Sequence, residues 1–328
     1  RKKPLDTVAK ETVAKIHGST IYKHDDIKED AMTTFMSLWL NNRNWNEEPF
    51  VLFSYRPLKE RIGLNPDQKY FSFETLMTNS ALGEVVRDAH RKELEEQDLT
   101  RDEREALTLE DRLTLMLGSV NDNTIAIVPH PSDVKGKWMG ISEEQALYSE
   151  SATAPLLASF AVMKQMFLTG PNHLPMLMPV AAELKAGLSE LSPEVYPVDG
   201  AMDQEVFFNH FHPFAKAWML YGLAFVVMLF TLWIKPLELY WSAIGLFVGG
   251  VAVQSYGFWL RMQIAGRPPV TNMYESVIWV GFGIAAIALT FELIYKAKYY
   301  LLAAAPLAVM CLILADSLPA VLDPSISP

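Results

Sequence analysis

The chain has 328 residues, 50% of them hydrophobic, with 28 Lys and Arg against 38 Asp and Glu for a net charge of −10. The charge is unevenly spread: residues 1–213 carry 22 basic and 33 acidic side chains, a net of −11, whereas 214–328 carry 6 and 5, a net of +1. An acidic part followed by an apolar one excludes a wholly soluble enzyme, and the lack of a Lys/Arg cluster argues against nucleic acid as a partner.

The first part, 1–213, reads as a mainly α domain with minor β structure. Asp6–Ile16 is amphipathic behind Pro4, and Ile27–Leu40 reads as a second helix that stops before the polar run Asn41-Asn-Arg-Asn-Trp-Asn46. Phe50–Tyr55 and Thr124–Val128 are short β-like runs that could pair. Thr100 with Glu103, and Ser142 with Gln145, are capping boxes, in which each side chain satisfies the other residue's backbone N–H. They open a charged helix at about 101–117 and a more apolar one at about 143–168. The stretch from Glu84 to Asp111 is dense in both signs of charge and reads as a solvated helical face. Glu205–His212 alternates apolar and polar residues, as a strand or an interfacial linker would.

The second part reads as four transmembrane helices. Its charge-free stretches run 217–234, 239–260, 276–291 and 299–315. About 20 residues rising ~1.5 Å each cross the ~30 Å hydrocarbon core, so with flanking residues the spans become about 214–234, 239–261, 273–293 and 299–317. Trp218, Trp233, Tyr240, Trp241, Trp259, Tyr274, Tyr295, Tyr299 and Tyr300 gather at their ends as an aromatic belt. Loop charge does not orient them, since Lys235, Lys296 and Lys298 on one side balance Lys216, Arg261 and Arg267 on the other. Gly245-Leu-Phe-Val-Gly249 is a G-x-x-x-G pattern, read as close helix packing within the bundle. No ionisable residue falls at mid-membrane, because Glu275 and Glu292 lie at helix ends, which counts against a proton pump or an ion-coupled transporter.

Chemistry is sparse. The lone cysteine, Cys311, sits in an apolar span, so the acidic part has no disulfide, no Cys-based zinc site and no C-x-x-C pair. There is no C-x-x-C-H haem-attachment motif and no nucleotide-binding or hydrolase signature. His210-Phe-His212 is the only close histidine pair. On a strand both imidazoles would share a face and could bind a metal or a haem edge; otherwise they are interfacial polar residues. The link between the second and third spans is richer. Gly266 can close a helix in the left-handed conformation, Pro268 and Pro269 force an extended path, and Asn272 can cap the next helix, with Glu275 completing an N-x-x-E box.

That link, Gly266-Arg-Pro-Pro-Val-Thr-Asn-Met-Tyr-Glu275, preceded by Gly257-Phe-Trp-Leu-Arg261, resembles the signature of the CcsA-type cytochrome c assembly proteins, the haem-handling half of the system II cytochrome c synthase. The resemblance covers about the last third of the chain, and Lys3–Glu11 is similar to the entry of the large extracytoplasmic domain of longer members. It implies cytochrome c biogenesis: export of haem b as a transported substrate and its attachment to apocytochrome c, with a ResB-type subunit or domain as partner. It also implies that 1–213, the 261–274 link and the tail after Asp316 are extracytoplasmic (periplasmic). Arg267, Asn272, Tyr274 and Glu275 become the candidate cofactor-binding residues, Arg267 meeting either a haem propionate or lipid phosphate, and His210 and His212 the candidate metal ligands. Synthase (haem lyase) activity would belong to the full complex. The family's catalytic WWD motif is not in this sequence, no histidine lies in the four spans, and Gln254 stands where similar proteins often carry one. The chain, which starts at Arg1 and closes on a Pro-rich run, reads as a segment of a longer polypeptide. A membrane-anchored sensor or assembly scaffold with a protein-binding outer domain is the alternative.

Overall fold

The structure is a computed structural model that describes residues 2–24, 27–120, 125–133, 136–141, 147–170, 174–196, 199–234, 237–268, 270–317 and 326. About 70% of the described residues are helical. The chain divides into two compact units, Val8–Pro197, and Arg1–Thr7 with Val198–Pro328.

The first unit begins within α1 (Leu5–His17), followed by the antiparallel hairpin β1 (Ile21–His24) and β2 (Ile27–Asp30) and then α2 (Ala31–Leu40). The helix expected over Ile27–Leu40 therefore starts four residues later. Residues 27–30 pair with β1, and Asp30 caps the helix by accepting from Thr33 N–H at 2.8 Å. The strand β3 (Pro49–Leu52) is followed by α3 (Arg56–Arg61) and pairs with β4 (Tyr70–Ser72). This corrects the expected partnership of Phe50–Tyr55 with Thr124–Val128, since Val128 instead bridges Met139. The nearer segment wins because it closes the shorter loop.

After α4 (Phe73–Met77), the charged region folds as α5 (Ser80–Leu94) and α6 (Arg101–Val120), which pack on each other. Their buried sides carry Leu82, Val85, Ala106, Leu109 and Leu113, and most of their charges lie away from that side, Glu103 being the buried exception. The Thr100 box forms: Thr100 N–H donates to Glu103 Oε2 at 2.8 Å and Glu103 N–H to Thr100 Oγ1 at 3.3 Å. The unit closes with a helical hairpin, α7 (Glu150–Leu168) and α8 (Leu174–Leu191). The Ser142–Gln145 box lies outside the described residues. Trp39 and Trp45 are core residues, each 1% exposed, and Trp45 Nε1 donates to Ser37 O at 3.0 Å.

In the second unit α9 (Asp199–Phe211) precedes four long helices: α10 (Pro213–Phe230), α11 (Leu237–Ala265), α12 (Met273–Tyr295) and α13 (Tyr299–Ser317). The last three, and α10 together with the end of α9 (Met202–Phe230), are long and apolar enough to cross a membrane. Their outward side chains fit a lipid environment: Ile287 is 60% and Met310 65% exposed. Helix α10 packs against α11 and α13, and α12 against α13, while the consecutive α11 and α12 share few contacts. The glycines that matter are not the G-x-x-x-G pair. A Cβ on Gly245 would meet nothing, whereas one on Gly250 would lie 2.6 Å from the Tyr221 ring and one on Gly257 2.9 Å from Pro213. Seven residues apart, these two share a helix face and let α10 approach α11 closely.

Candidate functional site

The site is built where α11 turns into α12. Helix α11 ends at Ala265, and Gly266, at φ +66°, takes the left-handed conformation while its N–H bonds Met262 O at 2.9 Å. Asn272 caps α12 by accepting from Glu275 N–H at 2.8 Å. Both local expectations are met. The Glu275 side chain reaches back one residue further than in a capping box: its Oε2 accepts from Thr271 N–H at 2.9 Å and from Thr271 Oγ1 at 2.8 Å. Pro269 lies outside the described residues.

That reach leaves Glu275 between two arginines. Arg261 Nη2 donates to Oε1 at 3.1 Å and Arg267 Nη1 to Oε2 at 3.4 Å. The side chains of Arg261 and Glu275 are 2% and 1% exposed, and that of Arg267 is 19% exposed. A carboxylate this buried needs compensating donors, and it has them. Tyr274, itself buried, lies with its ring 5.0 Å from the Arg261 guanidinium, and Phe208 lies 5.9 Å away. Two guanidiniums thus share one carboxylate. The arrangement fixes a buried ion pair and places a second guanidinium, that of Arg267, at the edge of the apolar bundle. It suits an amphipathic molecule with an anionic end.

Of the expected residues, the structure brings Arg267 and Glu275 into direct contact, gives Asn272 a capping role and packs Tyr274 on Arg261; Thr271, which the sequence did not single out, also bonds Glu275. The histidine pair behaves differently. Residues 199–211 are helical, so side chains at i and i+2 diverge instead of sharing a strand face. His210 Nε2 lies 3.3 Å from Asp6 Oδ1, and His212, at φ +47°, separates α9 from α10. Near it, Thr7 Oγ1 donates to Glu205 Oε1 at 2.9 Å and Asn209 Nδ2 to Thr7 Oγ1 at 2.9 Å. Among the described residues no group of three or more His, Cys, Asp and Glu could hold a metal ion.

Two further buried polar groups of the bundle were noted in the sequence by position only, without a partner. Gln254, 0% exposed, accepts from Tyr221 Oη at 2.7 Å and donates to Ile278 O at 3.0 Å, tying α10, α11 and α12 together. A lone amide inside the charge-free stretch 239–260 was the available signal. At the other end of α12, Glu292 Oε1 accepts from Tyr240 Oη at 2.8 Å and Lys298 N–H at 2.7 Å.

No family model matches the chain. It is similar to Protein NrfI of Wolinella succinogenes, with 23% identity over 297 residues, 86% of this chain and 31% of that protein. The chain thus spans about a third of the length of the curated relative it matches.

Proposed function

We propose that this chain is part of a cytochrome c biogenesis protein that passes haem b to the outer face of the membrane and offers it, with a ResB-type subunit or domain, for attachment to apocytochrome c. The similarity to NrfI supports the biogenesis role at that coarse level. The observation that carries the finer reading is the Arg261–Glu275–Arg267 cluster, formed by the very stretch that resembles the CcsA-type signature. Haem is flat and apolar with two carboxylates on one edge, so a membrane-edge guanidinium is a fitting contact for a propionate. Glu275 holds Arg267 at the edge of the bundle, with Arg267 Nη1 donating to Oε2 at 3.4 Å.

The orientation belongs to the same proposal. Residues 1–213, the 261–274 link and the tail after Asp316 are outside, with Lys235 and Lys296–Lys298 in the cytoplasm. Reporter fusions at Gly200 and Lys298 should then give opposite signals, and a cytoplasmic signal at Gly200 overturns it. The functional test is haem content of the purified full-length protein, read from its Soret band, alongside cytochrome c maturation in a deletion strain. Arg267→Ala should lower haem content and Arg267→Lys should recover part of it. Normal maturation in the deletion strain with no Soret band would discard the proposal in favour of an assembly scaffold. A haem-loaded protein indifferent to Arg267→Ala would assign that arginine to lipid phosphate.

A further inference from the structure

In the first unit a cavity of about 790 Å³ opens beside the β1–β2 hairpin, and His17 forms part of its wall. His17, the last residue of α1, is tightly held. Its ring lies between those of Phe50 and Tyr70, with centroids 5.0 and 4.3 Å away, and Nδ1 lies 2.9 Å from Phe50 O. A carbonyl only accepts, so Nδ1 carries the proton and Nε2 keeps its lone pair. Nε2 has no hydrogen-bond partner among the described residues and yet is not fully buried, so the lone pair opens to the cavity. Burial lowers the pKa of this histidine from its ordinary value, which keeps the ring neutral at physiological pH, the state in which imidazole ligates a metal. Glu48, also in the wall, is taken: its Oε1 lies 2.7 Å from His24 Nδ1 and accepts from the Tyr22 hydroxyl. Lys23 and Lys28 line the same cavity and stand opposite each other in the hairpin register, and neither has an ion-pair partner among the described residues. Like charges directly opposite destabilise a strand pair, and an anion between them would relieve it. Asp25 and Asp26, between the two strands, lie outside the described residues.

We infer that this cavity is a second station for haem b, in which His17 Nε2 is the protein's ligand to the iron and Lys23 and Lys28 receive the propionates. The inference rests on the proposed function for the identity of the cargo, and goes beyond it in assigning a site to the first unit. A ring nitrogen fixed on a backbone carbonyl is the usual companion of a metal-ligating one, because that bond sets both the tautomer and the orientation of the imidazole. A bare ion would need several protein ligands, and among the described residues no group of three or more His, Cys, Asp and Glu could supply them. Haem brings its own in-plane donors and asks the protein for axial ligands alone, in many proteins a single histidine. Ile21, Pro49 and Tyr70 give its flat face an apolar wall, and the volume falls within the range of about 300–1,000 Å³ of small-molecule and cofactor sites.

The test titrates haem into the purified full chain in detergent, follows the Soret band and records resonance Raman spectra of the reduced complex. The expected result is saturable binding with an iron–imidazole stretch. His17→Gln keeps a donor for Phe50 O and loses the ligating nitrogen, so the stretch should vanish and the affinity should fall at least about ten-fold. Lys23→Glu combined with Lys28→Glu changes exposed side chains only, so it spares the core; it should weaken binding several-fold and leave the stretch in place. A stretch that survives His17→Gln overturns the inference, whichever other histidine supplies it. So does unchanged affinity in the lysine double variant, which decides the matter even if His17→Gln fails to fold. The two readings fail separately. Loss of the stretch in His17→Gln together with normal cytochrome c maturation in the deletion strain keeps this site and discards the biogenesis role, whereas a surviving stretch with failed maturation does the reverse.

Discussion

Helix α12 buries a carboxylate at each end, and the two are treated in opposite ways. Glu275, in its first turn, lies where the helix dipole favours negative charge, and it also receives two guanidiniums and both donors of Thr271. Glu292, in its last turn, lies where the dipole opposes it. Its Oε1 takes the Tyr240 hydroxyl and the Lys298 N–H, while Oε2 is buried with no hydrogen-bond partner among the described residues. The Lys298 ammonium is directed to Thr231 O, at 3.2 Å. One end concentrates charge and the other uses a carboxyl as a hydrogen-bond acceptor that ties the α12–α13 connection to α11. The charged end is where the proposed function places its anionic contact.

The sharpest break comes from Glu275→Ala, which removes the carboxylate that Arg261 and Arg267 share. Breaking a buried ion pair should cost about 3–5 kcal/mol, read as a large drop in the melting temperature of the full chain in detergent. Adding Arg261→Met should restore most of it; if it does not, charge compensation is not what Glu275 provides. Next in size, Glu292→Ala leaves two donors unpaired and should cost about 1–3 kcal/mol, whereas Glu292→Gln keeps an acceptor and should cost less than about 1 kcal/mol. Equal losses in these two variants would erase the contrast between the ends of α12. Asn272→Ala removes one cap from the charged end and should lower stability by about 1 kcal/mol, with haem content unchanged if Asn272 is only a cap.

The smallest effect is at a carboxylate outside the bundle, Glu103 of α6. Glu103 is held down to about 2 by its bond to Lys92 and those to Thr100. An unfolded Glu titrates near about 4.3, so the folded state binds the proton less readily than the unfolded chain. Its stabilisation is complete above that value and fades as the pH falls towards about 2. Amide exchange in the first turn of α6 should therefore differ between wild type and Glu103→Gln at neutral pH and converge in acid. A difference that persists at pH 2 would show that the carboxylate's charge is not the cause.

Much of this could be read from the sequence, for a physical reason that also sets the limit. Span ends, the Thr100 box, the Asn272 cap and the Gly266 helix stop depend on residues within about four positions of each other or on hydropathy alone. The acceptance of Thr271 donors by Glu275 extends that local pattern by a single residue. Residues 27–30 mark where local reading gave out: their helical periodicity was overruled by pairing with β1, which no neighbouring residue announces. The alternation in Glu205–His212 misled in the opposite sense, since α9 runs helically up to Phe211 and places His210 beside Asp6, far away in sequence.

The amino-acid sequence determined by itself that an acidic, mainly helical part precedes four apolar spans, because charge and hydrophobicity act residue by residue. It also marked the 261–275 link as the informative one. Only the tertiary structure decided that Arg261 and Arg267 share Glu275, that Gln254 bridges Tyr221 and Ile278 O, and that Gly250 and Gly257 seat α10 against α11. Each of these contacts joins residues whose separation is set by helix lengths and crossing geometry. A buried charge or amide chooses its partner from whatever that packing brings within about 3 Å, and no local rule encodes the choice.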